Sequence, residues 1–421
     1  MRIEDTVLAL PSVRRFIDDI CNASRTRSVV ALIPDTISRV MVARLISNRL
    51  EVLRRPANGA WRDIRYAGEQ FPALSIADQL DIQWPSPLAV RNVRNLLRCE
   101  DLPDLLHIRD FSTRDTRNAA SRLRWLGLIQ EWIEESRNDA GLAAGSVPKL
   151  CLVAKLRDFD FKPPEERDGL SIYWWWGFPS SLEVRLACRF DGQKVAADEA
   201  ANRWREQVLP AIVGTDFDLA EHLWDSVLES TDEVIRTLEE YALLKGLSSP
   251  PDQQMYEFNV PRSSSSPPST IREQWGSGNI LSTPEYGAEY HPALLAHSGR
   301  RIDVEQRLWR GQSELLLPIL NYVRIRICDI LTESFGKDWP INPQSPQTDY
   351  ELKAVADNPR GAEFGHIEYL LKYEQKFRNK SDLLGIVSLS RTLRNEIAHY
   401  RLVPFKAFES LWKEMERLEL T

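Results

Sequence analysis

A chain of 421 residues, 43% hydrophobic and 27% charged, carries enough apolar material for more than one core and is too long for a single small domain. Its net charge of −7 excludes a general polyanion-binding coat; residues 300–421 hold 19 Lys and Arg against 18 Asp and Glu, so any nucleic-acid contact should be local. The start, Met1-Arg2-Ile3-Glu4-Asp5, has no basic segment leading into an apolar run, and no apolar run approaches the ~20 residues of a membrane helix, so a cytoplasmic protein without membrane contact is expected.

The first 190 residues alternate short apolar runs with amphipathic segments, the pattern of a mostly parallel sheet covered by helices. Strands are predicted at Val29–Pro34, Trp61–Tyr66, Leu105–Ile108, Lys149–Leu156 and Leu170–Trp176. Between them, helices are predicted at Thr36–Leu53, Leu88–Cys99 and Thr113–Arg137, the last with Ser112 or Thr113 as N-cap, and a further helix after Pro179-Ser180 carries Leu182, Val184 and Leu186. Residues 1–195 are therefore expected to form a three-layer α/β domain.

Three helices without an intervening strand follow at Ala196–Val213, Asp218–Leu228 and Thr231–Lys245, a lid-like subdomain over 196–245. From Gly246 to Arg300 there are ten serines, seven prolines and five glycines, a breaker content that predicts an interdomain linker, with Tyr256, Phe258, Trp275, Tyr286 and Tyr290 available to pack parts of it down. The remainder, 301–421, reads as an all-α bundle of helices at Ile302–Ser334, Ala362–Phe377, Lys380–Leu402 and Phe405–Leu418, with a long loop from Gly336 to Gly361 and Pro404 ending the third helix.

The five cysteines stand singly, without a CxxC or a cysteine–histidine pair at zinc spacing, so neither a disulfide framework nor a metal is expected. His107, His222, His291, His297 and His366 have no acidic or cysteine partner at ligand spacing. Where a phosphate-cradling GxxxxGK[ST] loop would follow the first strand, the chain has Ile33-Pro34-Asp35-Thr36-Ile37-Ser38-Arg39, with neither glycine nor lysine. Asp110 and Asp158 each follow a strand, but one carboxylate in that place is common. An α/β domain, a helical block and a C-terminal effector in this order resemble the layout of AAA-type or STAND-type NTPases; the missing loop implies a degenerate fold used for regulation or partner binding, with no nucleotide cofactor. Arg109, Arg114, Arg117, Arg122 and Arg124 set against Asp110 and Asp115 suit a solvated helix face or a binding surface, and Trp174-Trp175-Trp176 suits burial or a stacking platform.

The most informative string is Ser390-Arg391-Thr392-Leu393-Arg394-Asn395-Glu396-Ile397-Ala398-His399-Tyr400, which places one of six histidines close to two arginines on a helix. Arg391, Asn395 and His399 share a face at i, i+4, i+8, whereas Arg394 lies about 140° from His399 at about 100° per residue. Two copies meeting across a two-fold axis would relieve that offset by lining one groove with the arginine and histidine of both. Arg394-Asn395-Glu396-Ile397-Ala398-His399 resembles the R-x4-H motif of HEPN domains, in a helical setting of about 120 residues that is also similar. The resemblance implies a metal-independent endoribonuclease acting on RNA as a homodimer, in a bacterial phage-defence or toxin system. His399 would move the proton of the 2′-hydroxyl or of the leaving oxygen, Arg394 would hold the phosphate, and Asn395 would orient one of them; Arg391, Tyr400 and Arg401 would add RNA contacts. The α/β domain would then sense a trigger or bind a protein partner. One family variant carries a modifiable tyrosine two positions after the histidine; here that position is Arg401, and the tyrosine is adjacent. The competing expectation is a non-catalytic regulatory or assembly protein, with Arg394 paired to Glu396 or a neighbouring helix and His399 placed at the helix end, where a cation favours the dipole.

Overall fold

The computed structural model describes residues 6–7, 9–53, 61–65, 71–84, 86, 90–109, 119–138, 147–160, 162–190, 198–247, 265–341, 353 and 355–420. By internal packing the chain divides into two compact units, the first of 1–187 with 214–217 and 245–291, the second of 188–213 with 218–244 and 292–421.

The first unit is built on a five-stranded, all-parallel sheet: β1 (Ser28–Ile33), β2 (Trp61–Arg65), β3 (Leu105–Arg109), β4 (Lys149–Lys155) and β5 (Leu170–Trp174), in the order β2-β3-β4-β1-β5. Central parallel strands are covered on both faces and read as continuous apolar runs; accordingly every residue of β1 is buried. Around it run α1 (Pro11–Ala23), α2 (Arg39–Leu53), α3 (Pro72–Leu80) and α4 (Ala119–Asn138). In α1 the buried Val13, Phe16, Ile17, Ile20 and Cys21 recur at helical spacing on one face, and Pro11 occupies the first turn, where its missing N–H costs nothing.

The sheet matches the strands predicted from sequence, and the helices depart from it in three places. The helix expected from Thr36 begins at Arg39, because residues 34–38 form the turn out of β1. Of Leu88–Cys99 only Val93–Leu96 is helical among the described residues, capped by the Asn92 side chain, which accepts from the Asn95 N–H at 3.0 Å. Helices α1 and α3 are not among those predicted from the sequence. Ser112, Thr113, Arg114, Arg117, Asp110 and Asp115 lie outside the described residues, as do Tyr256 and Phe258. Trp175 and Trp176 are buried, and Trp174 is half-buried with its ring centroid 5.5 Å from that of Trp275.

The segment expected to be a linker is folded over its described part. A short helix at Arg272–Gly276 leads into an antiparallel hairpin of β6 (Ile280–Thr283) and β7 (Gly287–Tyr290), with Trp275, Ile280 and Leu281 buried. Serine, glycine and proline here make turns at fixed places: Gly278 has φ +83°, and a Cβ on it would stand 2.8 Å from Thr36 Cγ2.

The second unit is helical: α5 (Glu199–Val213), α6 (Thr231–Lys245), α7 (Arg301–Phe335), α8 (Phe364–Tyr373), α9 (Leu384–Ala398) and α10 (Phe405–Arg417). The expected lid, 196–245, thus belongs for the most part with the C-terminal helices. The reason is the close approach of α7 to α5: a Cβ on Gly311 would lie 2.9 Å from Val208 Cα and 3.2 Å from Gln207 O. Arg307 and Arg310 of α7 also donate to the Ile212 and Ala211 carbonyls, at 3.4 and 3.2 Å, satisfying orphan acceptors at the end of α5. Trp204 of α5 packs against Phe405 and Phe408 of α10, with centroids 5.8 and 5.5 Å away. No helix among the described residues is long and apolar enough to cross a membrane.

Candidate functional site

Helix α9 turns Ile386, Val387, Ser390, Leu393 and Ile397 into the second unit and leaves Arg391 and Arg394 exposed. It was expected to run to Leu402, with Pro404 as its stop, and it ends at Ala398 instead. His399 is the cap residue, Tyr400 takes φ +57°, the Arg401 N–H donates to Glu396 O at 2.9 Å, and the Tyr400 N–H donates to Ile397 O at 3.2 Å. That pair of bonds is a Schellman ending, with a tyrosine at the left-handed position that glycine usually fills.

The loop after this ending is held on both sides by α7. Trp309 Nε1–H donates to the Ile397 carbonyl at 2.9 Å. The buried Gln312 amide donates to Val403 O at 3.0 Å and accepts from Val403 N–H at 2.8 Å. His399 is thereby presented at a fixed helix end, exposed, with no hydrogen-bond partner for its ring among the described residues.

Arg394 is half exposed; its guanidinium donates to Asn395 Oδ1 at 3.2 Å and lies 3.8 Å from the Glu363 carboxylate. Asn395 therefore orients the arginine rather than the histidine. Of the two partners expected for Arg394 in the non-catalytic reading, Glu396 approaches Arg401 instead, at 3.4 Å, whereas a neighbouring helix does supply one, since Glu363 stands at the start of α8. No hydrogen bond joins Arg394 to His399 within the chain.

Arg391 is drawn away from this end. It donates to Glu368 at 2.6 Å, and Lys372 and Ser388 donate to the same carboxylate at 2.7 and 2.9 Å. Burial alone would raise the Glu368 carboxyl; the hydrogen bonds from Lys372, Arg391 and Ser388 outweigh it and bring it down to about 2. A carboxyl depressed in the folded state stabilises it above the unfolded value and loses that contribution as pH falls through the folded one. Glu368→Gln is therefore expected to cost about 2 kcal/mol near neutrality, after allowing for solvent screening of the half-exposed Arg391 and Lys372. In urea titrations the gap between wild type and variant should close as pH falls from about 4.5 toward 2; a gap independent of pH would refute the linkage.

Tyr400 is 75% exposed and lies on Trp309, with ring centroids 4.5 Å apart and planes at 29°. These two rings, with Ile302 and Leu402, wall a cleft of about 550 Å³ whose polar edges are Thr231, Gln306, Glu305 and Arg401.

In the first unit, the place to look for a ligand is the crevice beyond the carboxyl ends of β1 and β4, where chain connections leave to opposite sides of the sheet. It is filled by the protein's own charges. Arg39 pairs with the fully buried Asp158 at 2.8 Å, Lys155 Nζ donates to the Asp35 carbonyl at 2.8 Å, and Arg157 lies 3.0 Å from the Asp35 carboxylate. Burial raises Asp35 against the pull of Lys155 and Arg157, and it lowers Arg39 and Lys155. The Asp35 N–H, which a phosphate oxygen would need, donates to Gly276 O at 3.0 Å. This donor set does not fit a nucleotide phosphate.

Two histidine–carboxylate pairs were not foreseen. His107 Nδ1 lies 2.9 Å from Asp63, which Arg109 also contacts at 3.0 Å, and the wholly buried His291 Nε2 lies 3.0 Å from the wholly buried Asp216. Ser47 Oγ approaches His107 on the same nitrogen, at 3.2 Å. A nucleophile–base–acid relay needs opposite ring nitrogens, so this trio is structural. A scan against protein-family models finds no match for the chain, and a search of curated proteins finds none either.

Proposed function

We propose that the chain is a metal-independent endoribonuclease in which Arg394 and His399 of the helical unit act on RNA in a homodimer. The observation that carries this reading is the state of His399. His107, His222, His291 and His366 each set a ring nitrogen against a protein partner; the exposed His297 and His399 do not, and of these two it is His399 whose helix end is anchored by Trp309 and Gln312 and whose helix carries the exposed Arg394. A neutral imidazole free of protein partners accepts the proton of a ribose 2′-hydroxyl as its oxygen attacks the adjacent phosphorus. The P–O5′ bond breaks to give a 2′,3′-cyclic phosphate, and the departing O5′ takes the proton back from the imidazolium to become a 5′-hydroxyl, while Arg394 stabilises the added charge on the phosphorane oxygens. The α/β unit, an NTPase-like sheet with its phosphate position filled, serves as a sensing or partner-binding module of a cytoplasmic defence or toxin system.

One observation favours a second reading, a non-catalytic regulatory or assembly protein: Arg394 already has Asn395 and Glu363 as partners. Incubating the purified full chain with RNA and mapping the new ends separates the two. Cyclic-phosphate termini that vanish with His399→Ala support the nuclease; identical termini with wild type and variant sink it.

A further inference from the structure

We infer that the Trp309–Tyr400 cleft is a base-binding subsite, taking one unpaired nucleobase of single-stranded RNA next to the phosphate held at Arg394 and His399. This rests on the nuclease reading for the position of that phosphate, and on two independent observations for the base.

The first is the backbone of Tyr400. A non-glycine residue at φ +57° costs roughly 1–2 kcal/mol relative to glycine, and a strained residue that persists invites a functional explanation. Burial does not compensate here, because Tyr400 stays 75% exposed while contacting Trp309. What the left-handed turn achieves is to direct an aromatic ring, one residue from His399, into the cleft of α7.

The second is the chemistry of the cleft. With Ile302, also exposed at 71%, the two rings make an apolar wall that a flat heterocycle would cover. The volume of about 550 Å³ falls within the range of small-ligand sites. Its two charged residues are each engaged: Glu305 with Arg301 at 2.6 Å and Arg401 with Glu396 at 3.4 Å. A phosphate would meet the Glu305 carboxylate and no unengaged cation, whereas a neutral base would meet aromatic faces, with the Thr231 hydroxyl and the Gln306 amide available to its edge. Duplex RNA keeps its bases stacked inside, so the subsite selects unpaired RNA.

The test uses the full-length chain and a fluorescent, fully 2′-O-methylated single-stranded oligonucleotide, which cannot be cleaved, read by anisotropy. Tyr400→Gly is the informative variant, because glycine relieves the left-handed strain and the protein should melt no lower than wild type. Binding should weaken by roughly tenfold, the value of one stacked base, while Tyr400→Phe binds within about twofold of wild type. The salt dependence of binding should be unchanged, since no phosphate contact is removed. Tyr400→Gly binding as tightly as wild type, wild-type preference for duplex, or absence of wild-type binding overturns the subsite. Cleavage with Arg394→Ala and His399→Ala is scored separately: unchanged cleavage there with weakened binding in Tyr400→Gly removes the catalytic assignment and leaves the base site standing.

Discussion

Replacing His399 by alanine should lower the rate of RNA cleavage by about 10²–10⁴-fold, the usual contribution of a positioned general acid or base. Arg394→Ala should cost about 10²–10³-fold, as loss of one donor to a developing oxyanion does. Both side chains are exposed, so neither change should move the melting temperature appreciably, which separates chemistry from folding. The helical offset between the two residues adds a sharper test. If the working groove takes Arg394 from one copy and His399 from the other, mixing the two dead variants regenerates one intact site per mixed dimer, and cleavage returns. A site complete within each chain would stay dead in the mixture. Full activity in both single variants would end the nuclease reading.

Arg39→Ala should destabilise the first unit by about 3–5 kcal/mol, because it leaves the fully buried Asp158 without its cation. The cost should be much smaller in the double variant Arg39→Met, Asp158→Leu, which removes both charges and keeps apolar bulk in the crevice. Chemical denaturation of the three proteins measures both steps; equal stability of Arg39→Ala and wild type would mean that the pair contributes nothing. The same geometry predicts that calorimetric titration with ATP gives no heat of binding. A phosphate at the end of β1 would have to displace Arg39 from Asp158 and the Asp35 N–H from Gly276. Micromolar binding would contradict this account of the crevice.

The parallel sheet was legible because strands buried on both faces are continuous apolar runs, and Val29–Ile33 is one whichever helices cover it. Helix α1 was not among the predicted helices although its apolar spacing is regular and its Pro11 stands in the first turn, where the ring is tolerated. The end of α9 was not legible for a different reason. A Schellman ending is normally announced by glycine, and here Tyr400 takes the left-handed turn, so Pro404 was read as the stop. The motif residues Arg394, Asn395 and His399 could be named from local sequence, whereas the contacts that fix their setting come from α7. Trp309 and Gln312 stand about 90 positions upstream, and no spacing rule links them to the motif. The half-buried His107–Asp63 pair and the buried His291–Asp216 pair escaped notice likewise: one forms across neighbouring parallel strands and the other across 75 positions. The serine- and proline-rich stretch misled because composition reports breakers, while Trp275 and Ile280 decided that its second half folds.

The glycine seam at Gly311 bears on how the nuclease candidate could be cut out of the chain. Residues 301–421 contain the whole motif and look like a portable cassette, yet α7 reaches its position by lying against the backbone of Val208, and Phe405 and Phe408 rest on Trp204. A fragment starting at 301 would bare that seam and both rings, so the smallest severable piece includes Glu199–Val213, which precedes it in sequence by about 90 positions. Recombination that swapped only the last third of such a chain would inherit the Arg394–His399 string without the brace that holds it.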